Sequence, residues 1–265
     1  MLTVFPYISR SQSLPLDEIR KIETSIRSIN TLDKDGTVAI DGILAAESRW
    51  NIWFQAGHRV MFILKEPYDA ARQIKEKAVR YNEWLSNGYY NTIGDIPQED
   101  GAPTYRPIAT ITNMIVKDRD YYSVRNEYGS PEAYKTFLEH TAIINCKKEH
   151  NRNSVYTVES ELREHIIRYS HIIKEQLRVY DPTVVIFANT HKYLIENNAG
   201  RVTILGESIP AGNIYTMQDG IHKFYFNENR VFIEAYHPSA HVNKEQYCTQ
   251  ILEAVHKWEE ETHSR

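Results

Sequence analysis

Two cysteines in 265 residues, Cys146 and Cys248, are too few for a disulfide framework or a four-thiolate cluster. Their wide separation matches no zinc-binding spacing, so both read as free thiols. Long apolar runs are also lacking: no stretch approaches the roughly 18 residues needed to span a bilayer. The opening MLTVFPYISRSQSLP has neither the basic n-region nor the long apolar core of a signal peptide, so the expected location is cytoplasmic, with no membrane partner. An excess of positive charge is missing too. Lys and Arg number 31 against 35 Asp and Glu, a net charge of −4, which argues against coating nucleic acid by bulk attraction but allows a local basic face. The glycines at 200, 206 and 212 give neither GxGxxG nor GxxxxGK[ST], and GxSxG is absent. The fingerprints of dinucleotide folds, phosphate loops and serine hydrolases are therefore not there.

What is present is ordinary globular composition, 42% hydrophobic and 25% charged, which excludes disorder and fibrous classes. Four segments are β-branched, strongly apolar and bounded by turn residues: RVMFIL (59–64), TAIIN (141–145), PTVVIFAN (182–189) and RVFIEAYH (230–237). Near-continuous apolar strands imply a parallel sheet covered on both faces. The helices to cover it are read at LPLDEIRKIETSIRSIN, where Leu16, Ile19, Ile22, Ile26 and Ile29 form a stripe, and at DAARQIKEKAVRYNEWLSNG, with Gly88 as its C-cap. Others are read at SPEAYKTFLEH, with Ser130 as N-cap, at TVESELREHIIRYSHIIKEQLRVYDP, and from about Asn243 to Glu261. TIGDIPQEDGAPTYRP (92–107) reads as a long loop, and residues 202–226 as short β-like runs between turns. The expected fold is a three-layer α/β/α domain with a central four-stranded parallel sheet. It spans residues 1–265 as one monomeric domain, with an N-terminal helical extension at about 14–31 and a loop insertion at about 88–107.

In an open parallel sheet, ligands bind beyond the carboxyl ends of the strands. The residues just past those ends are Glu66, Pro67 and Tyr68; Asn145 with Cys146, Lys147 and Lys148; Asn189; and His237, Pro238 and Ser239. A carboxylate, an amide and an imidazole would share one edge. Singly, each has an ordinary alternative: Glu66 beside a helix N-terminus, Asn145 bonded to its own backbone, Ser239 capping a turn. Glu234, His237 and His241 have helical metal-ligand spacing, but Pro238 breaks that geometry, so no metal is expected.

The ordered pieces LKEPYD (64–69), AIIN (142–145) and HPSAH (237–241) resemble the motifs of the uracil-DNA glycosylase superfamily, whose familiar branch carries GQDPYH, a strand-end Asn and HPSPLS. The likeness runs from about Arg59 to Trp258. It is similar also to bacterial members with an LKE-type first motif, and there it extends to Tyr105 and Arg106. The resemblance implies a monofunctional glycosylase that uses no cofactor and acts on an altered base flipped out of single- or double-stranded DNA. Cleaving an N-glycosidic bond leaves an oxocarbenium-like sugar and an anionic base, and both must be stabilised. Glu66 would hold water and face the developing cation, His237 would donate to the base oxygen, and Asn145 would read the base edge. Tyr105 would stack on the base, Tyr68 would crowd its 5-position, and Pro67 and Ser239 would grip phosphates. Lys65, Lys147, Lys148, Arg152 and His241 would contact phosphates, as would the cations Arg72, Lys75, Lys77 and Arg80. Leu64, Lys65 and Glu66 stand where the familiar branch has Gly, Gln and Asp, and Ala240 and His241 replace its Pro and Leu, so the base remains open. The alternatives are a glycosylase-fold module that binds modified nucleic acid without cutting, for instance in defence against phage, and a nucleoside or nucleotide hydrolase.

Overall fold

The computed structural model describes residues 14–29, 38–67, 78–80, 90–96, 102–149, 157–198, 201–217 and 223–263. In chain order the strands that matter for the site are β1 (Val38–Ile40), β2 (Gly42–Ile43), β3 (Val60–Leu64), β4 (Ala78–Arg80), β5 (Thr141–Asn145) and β6 (Val184–Ala188). They are followed by β7 (Ile195–Asn198), β8 (Arg201–Ile204), β9 (Glu207–Ile209), β10 (Ile214–Thr216), β11 (Lys223–Phe226) and β12 (Val231–Ala235). The principal helices are α1 (Leu16–Arg27), α2 (Trp50–Gln55), α3 (Ala102–Lys117), α4 (Tyr121–Arg125), α5 (Pro131–His140), α6 (Glu159–Tyr180) and α7 (Lys244–His263).

The fold is mixed α/β around a mostly parallel sheet. Its order is β10-β11-β12-β6-β3-β5-β2, so the sheet has seven strands rather than the expected four. The middle four, β12, β6, β3 and β5, are parallel and are the four apolar segments read from the sequence. Alternate side chains of these strands enter different cores. Phe62, Leu64, Ile143, Ile186 and Ile233 pack with residues of α3, α5 and α7, whereas Met61, Ile63, Ile144, Val185 and Phe187 pack with residues of α1 and α6 and with Trp50 and Trp53. Burial on both faces is why no polar residue interrupts VMFIL. The extra strands are edge strands, antiparallel and short: β2 beside β5, and β11 and β10 beyond β12. β7, β8 and β9 form a separate antiparallel sheet.

Two further expectations are corrected. The helix expected over 69–88 is interrupted, because Ala78–Arg80 is a strand paired in parallel with Val38–Ile40; the remainder of that segment, including Gly88, lies outside the described residues. A sheet partner remote in sequence has overridden local helical propensity. The loop expected through residue 107 is instead partly helix, since α3 begins at Ala102 and carries Pro107 inside it. Pro103, in the first turn, was the start signal for this helix, and Pro107 hid it by resembling a stop. Ahead of it, Thr92 and Asp95 form a reciprocal cap on the turn Ile93–Asp95.

Gly42 opens β2 with φ of 156°, and a Cβ placed there would lie 2.7 Å from the Tyr180 hydroxyl. Gly42→Ala is expected to cost about 1–3 kcal/mol in urea denaturation through overpacking; an unchanged midpoint would show that Tyr180 can move aside.

Candidate functional site

Because β12, β6, β3 and β5 run in the same direction, the chain leaves all four at one edge. Leu64 is the register partner of Asn145, and two further bonds, Cys146 N–H to Leu64 O and Lys147 N–H to Lys65 O, both 2.8 Å, continue the ladder past the strand ends. This zips the segment after β3 to the segment after β5 and sets Lys147 Nζ 3.9 Å from Glu66 Oε2. Glu66 and Pro67 are buried there. His237 follows β12, two strands from β3 across β6, or roughly 10 Å at ordinary strand spacing. At the intervening strand Asn189 turns with φ of 61° and donates its N–H to Ala235 O at 2.8 Å.

Asn145 is fully buried, and its orientation is fixed by Asp41, a residue the sequence reading passed over. Asp41 Oδ2 accepts both the Asn145 backbone N–H at 2.6 Å and its Nδ2–H at 3.1 Å. An amide turned the other way would set its oxygen against a carboxylate, so Oδ1 must be the atom facing away. That buried Oδ1 has no hydrogen-bond partner among the described residues. A buried carbonyl oxygen left unpaired costs about 1–3 kcal/mol, which a ligand N–H would relieve. Asp41 is itself held by Lys148 Nζ at 2.8 and 3.0 Å and by Gln176 Nε2 at 2.8 Å, while Gln176 Oε1 accepts from Lys148 at 2.8 Å. The sequence signal was a carboxylate inside the apolar run VAIDGIL, a place where a charge survives only with a partner.

His237 is half-buried, and its ring is fixed by its own loop. Nδ1 lies 2.7 Å from Ser239 Oγ and accepts the Ser239 N–H at 3.3 Å. With Nδ1 acting as acceptor, the proton of the neutral ring sits on Nε2, which is a donor. Burial, then the charges of Lys65 and Lys244, push the His237 pKa down to about 4, so the ring is neutral near pH 7. Lys244 ties down the same loop by donating to Pro238 O at 2.6 Å and Ala240 O at 2.5 Å. Ser239, expected to grip phosphate, instead spends its N–H and hydroxyl on His237.

Several other expectations are corrected. Lys148 is 1% exposed and bound to Asp41 and Gln176, so it is a structural charge and cannot reach a phosphate. Lys147 is also buried, between Glu66 and Glu161 at 3.0 Å. Lys65 pairs with Glu159 at 3.4 Å. Tyr105 lies on α3 and is 3% exposed in the core with Leu64 and Ile108, not on a loop awaiting a base. His241 is exposed beside the loop, as a phosphate contact requires. Tyr68, Arg152, Arg72, Lys75 and Lys77 lie outside the described residues, as does the side chain of Arg80. Among the described residues no group of three or more His, Cys, Asp or Glu is placed to hold a metal, and no helix is long and apolar enough to cross a membrane. Cys146 and Cys248 are free and buried, and burial raises both thiols to about 12.

His165 accepts the Lys148 backbone N–H at its Nε2, 3.1 Å away. Burial and the charges of Lys148, Lys147 and Arg168 push its pKa from 6.5 down to about 3. The folded state therefore refuses a proton that the unfolded chain binds, and stability is lost as pH falls below about 6.5. At about pH 5 this histidine alone should cost roughly 2 kcal/mol relative to neutral pH, in a window where carboxylates change charge little. His237 and His58, also pushed down to about 4, add to the loss. A urea midpoint equal at about pH 5 and pH 7.5 would contradict the neutral, buried state of these rings.

No protein-family model matches the chain, and no curated protein matches it.

Proposed function

We propose that the chain is a three-layer α/β/α DNA glycosylase that hydrolyses the N-glycosidic bond of uracil or another altered base flipped out of DNA. One observation carries the reading: a carboxylate and an oriented amide leave the adjacent parallel strands β3 and β5, and a neutral imidazole, its Nε2–H without an acceptor among the described residues, leaves β12 at the same edge with β6 between. The base would enter between Asn145 and His237. Asn145 Oδ1 would accept a ring N–H, and His237 Nε2–H would donate to the base oxygen as negative charge grows there. Glu66 would orient the attacking water and face the cationic sugar. The water oxygen bonds to the anomeric carbon, its proton passes to Glu66, and the broken C–N bond leaves its electron pair on the base. Extrusion of the base costs a few kcal/mol, which these contacts offset.

A second reading, a module of the same fold that binds an altered base without cutting it, is favoured by the Glu66 carboxylate, 2% exposed and beside Lys147. The test is incubation with single- and double-stranded oligonucleotides carrying uracil, hydroxymethyluracil, hypoxanthine or modified cytosines, followed by detection of alkali-labile abasic sites. Sites formed by the wild type and lost in Glu66→Gln and His237→Ala support excision. Tight binding with no abasic site on any substrate leaves the binding module.

A further inference from the structure

A cleft of about 640 Å3 opens next to the His237 loop, between that loop, the first half of α3, α4 and the start of α7. It begins at Ser239, the residue that holds His237, so it adjoins the strand-end site without including Glu66 or Asn145. Its size is that of an ordinary ligand cleft, roughly 300–1,000 Å3. Its chemistry is unlike the rest of an acidic chain, since among the described residues Arg106, Arg125 and Lys244 line it with a single carboxylate, Glu245. The hydrogen bonds of Arg106 go to the carbonyls of Gly94 and Ile96, and those of Lys244 to Pro238 and Ala240. Carbonyl partners do not cancel a positive charge, and Arg106 Nε is buried without a partner among the described residues. The aromatic wall is Tyr121 and Tyr122, edge to face with centroids 5.6 Å apart, and the Arg125 guanidinium lies 5.9 Å from the Tyr121 ring. Tyr122 is 55% exposed for so large a ring and is steadied by its hydroxyl bond to Glu245 at 2.6 Å.

An exposed tyrosine ring, Tyr122, beside arginines without a carboxylate partner among the described residues supplies the ingredients of single-strand recognition: rings stack on bases and cations follow phosphates. We propose that this cleft binds a single-stranded nucleic-acid segment, with an unstacked base on Tyr122 and flanking phosphates at Arg125 and Lys244. That the strand is DNA rests on the excision reading above; the site itself does not. It also supplies the cationic surface that the buried Lys147 and Lys148 cannot.

The test is fluorescence anisotropy of the full chain with a labelled oligothymidine containing no altered base, in low salt. Tyr122→Ala is expected to weaken binding about tenfold and Arg125→Ala by a similar factor, while Tyr122→Phe stays within about twofold because the ring remains. Tyr122 and Arg125 are exposed, and unchanged thermal melts would confirm that the variants are folded. Wild-type protein that does not bind the strand, or that binds no better than Tyr122→Ala and Arg125→Ala, overturns the proposal. Excision is a separate readout. Binding through Tyr122 by a protein that releases no base keeps this site and retires the glycosylase, and excision with binding indifferent to Tyr122 does the reverse.

Discussion

Asp41→Ala is expected to destabilise the protein by about 3–5 kcal/mol, the cost of leaving a buried charge without its partner. The Asp41 side chain is fully buried and that of Lys148 is 1% exposed. Without the carboxylate, the Lys148 ammonium keeps only Gln176 Oε1, and the Asn145 N–H and Nδ2–H lose their acceptor. Removing both charges together should cost less than removing Asp41 alone, because a neutral pair leaves no ion stranded in the core. The double variant Asp41→Asn with Lys148→Met is therefore expected to recover part of the loss. Urea denaturation followed by the fluorescence of buried Trp50 and Trp53 measures both. A loss under about 1 kcal/mol for Asp41→Ala would mean that Lys148 finds water or another partner, and the amide clamp would then lose its physical basis.

The second large effect is catalytic. His237→Ala should slow excision roughly 100- to 1,000-fold, the usual consequence of removing one donor from a developing anion. Glu66→Gln would remove the group that the proposed mechanism assigns to the water proton, and is expected to cost about 100- to 10,000-fold. The pH dependence separates two roles for the imidazole. A neutral donor whose pKa is pushed down to about 4 leaves the His237 contribution flat from neutral pH down to about pH 5. An imidazolium acting as general acid would instead lose activity as pH rises through the ordinary histidine range of about 6–7. Single-turnover rates across that range decide between them, with Ser239→Ala as a positioning control. Freeing Nδ1 from Ser239 Oγ should alter the profile more than the affinity for DNA.

The four parallel strands were legible because burial on both faces demands nearly continuous apolar runs, and VMFIL, TAIIN, VVIFA and VFIEA come close to it, with Glu234 of the last only half-buried. The helix at 131–140 was legible from its cap, where Ser130 accepts the Ala133 N–H. What escaped depends on partners distant in the chain. Lys147 and Lys148 read as a phosphate-binding pair, and nothing near them reveals that Asp41 lies 107 residues upstream or Gln176 28 residues downstream of Lys148. Ala78–Arg80 reads as helix until Val38–Ile40 offers it an edge. The strand-end trio was legible for the opposite reason: a shared edge follows from strand direction alone, without knowledge of any side-chain contact. Tyr105 shows the limit of that reasoning, since its neighbourhood in sequence looked like a loop while its helix carries it into the core. Tyr121, Tyr122 and Arg125 were passed over because DYYSVRNEYG has no motif; only the fold sets them opposite Lys244.

The central claim is that Glu66, Asn145 and His237 act together on one base, and release of free base under single-turnover conditions tests it most directly. Wild-type protein is expected to liberate base from at least one altered oligonucleotide, with Glu66→Gln, Asn145→Ala and His237→Ala each slower by roughly 100-fold or more. Release at the wild-type rate by any two of these folded variants, or no release from any oligonucleotide by the wild type, would contradict it.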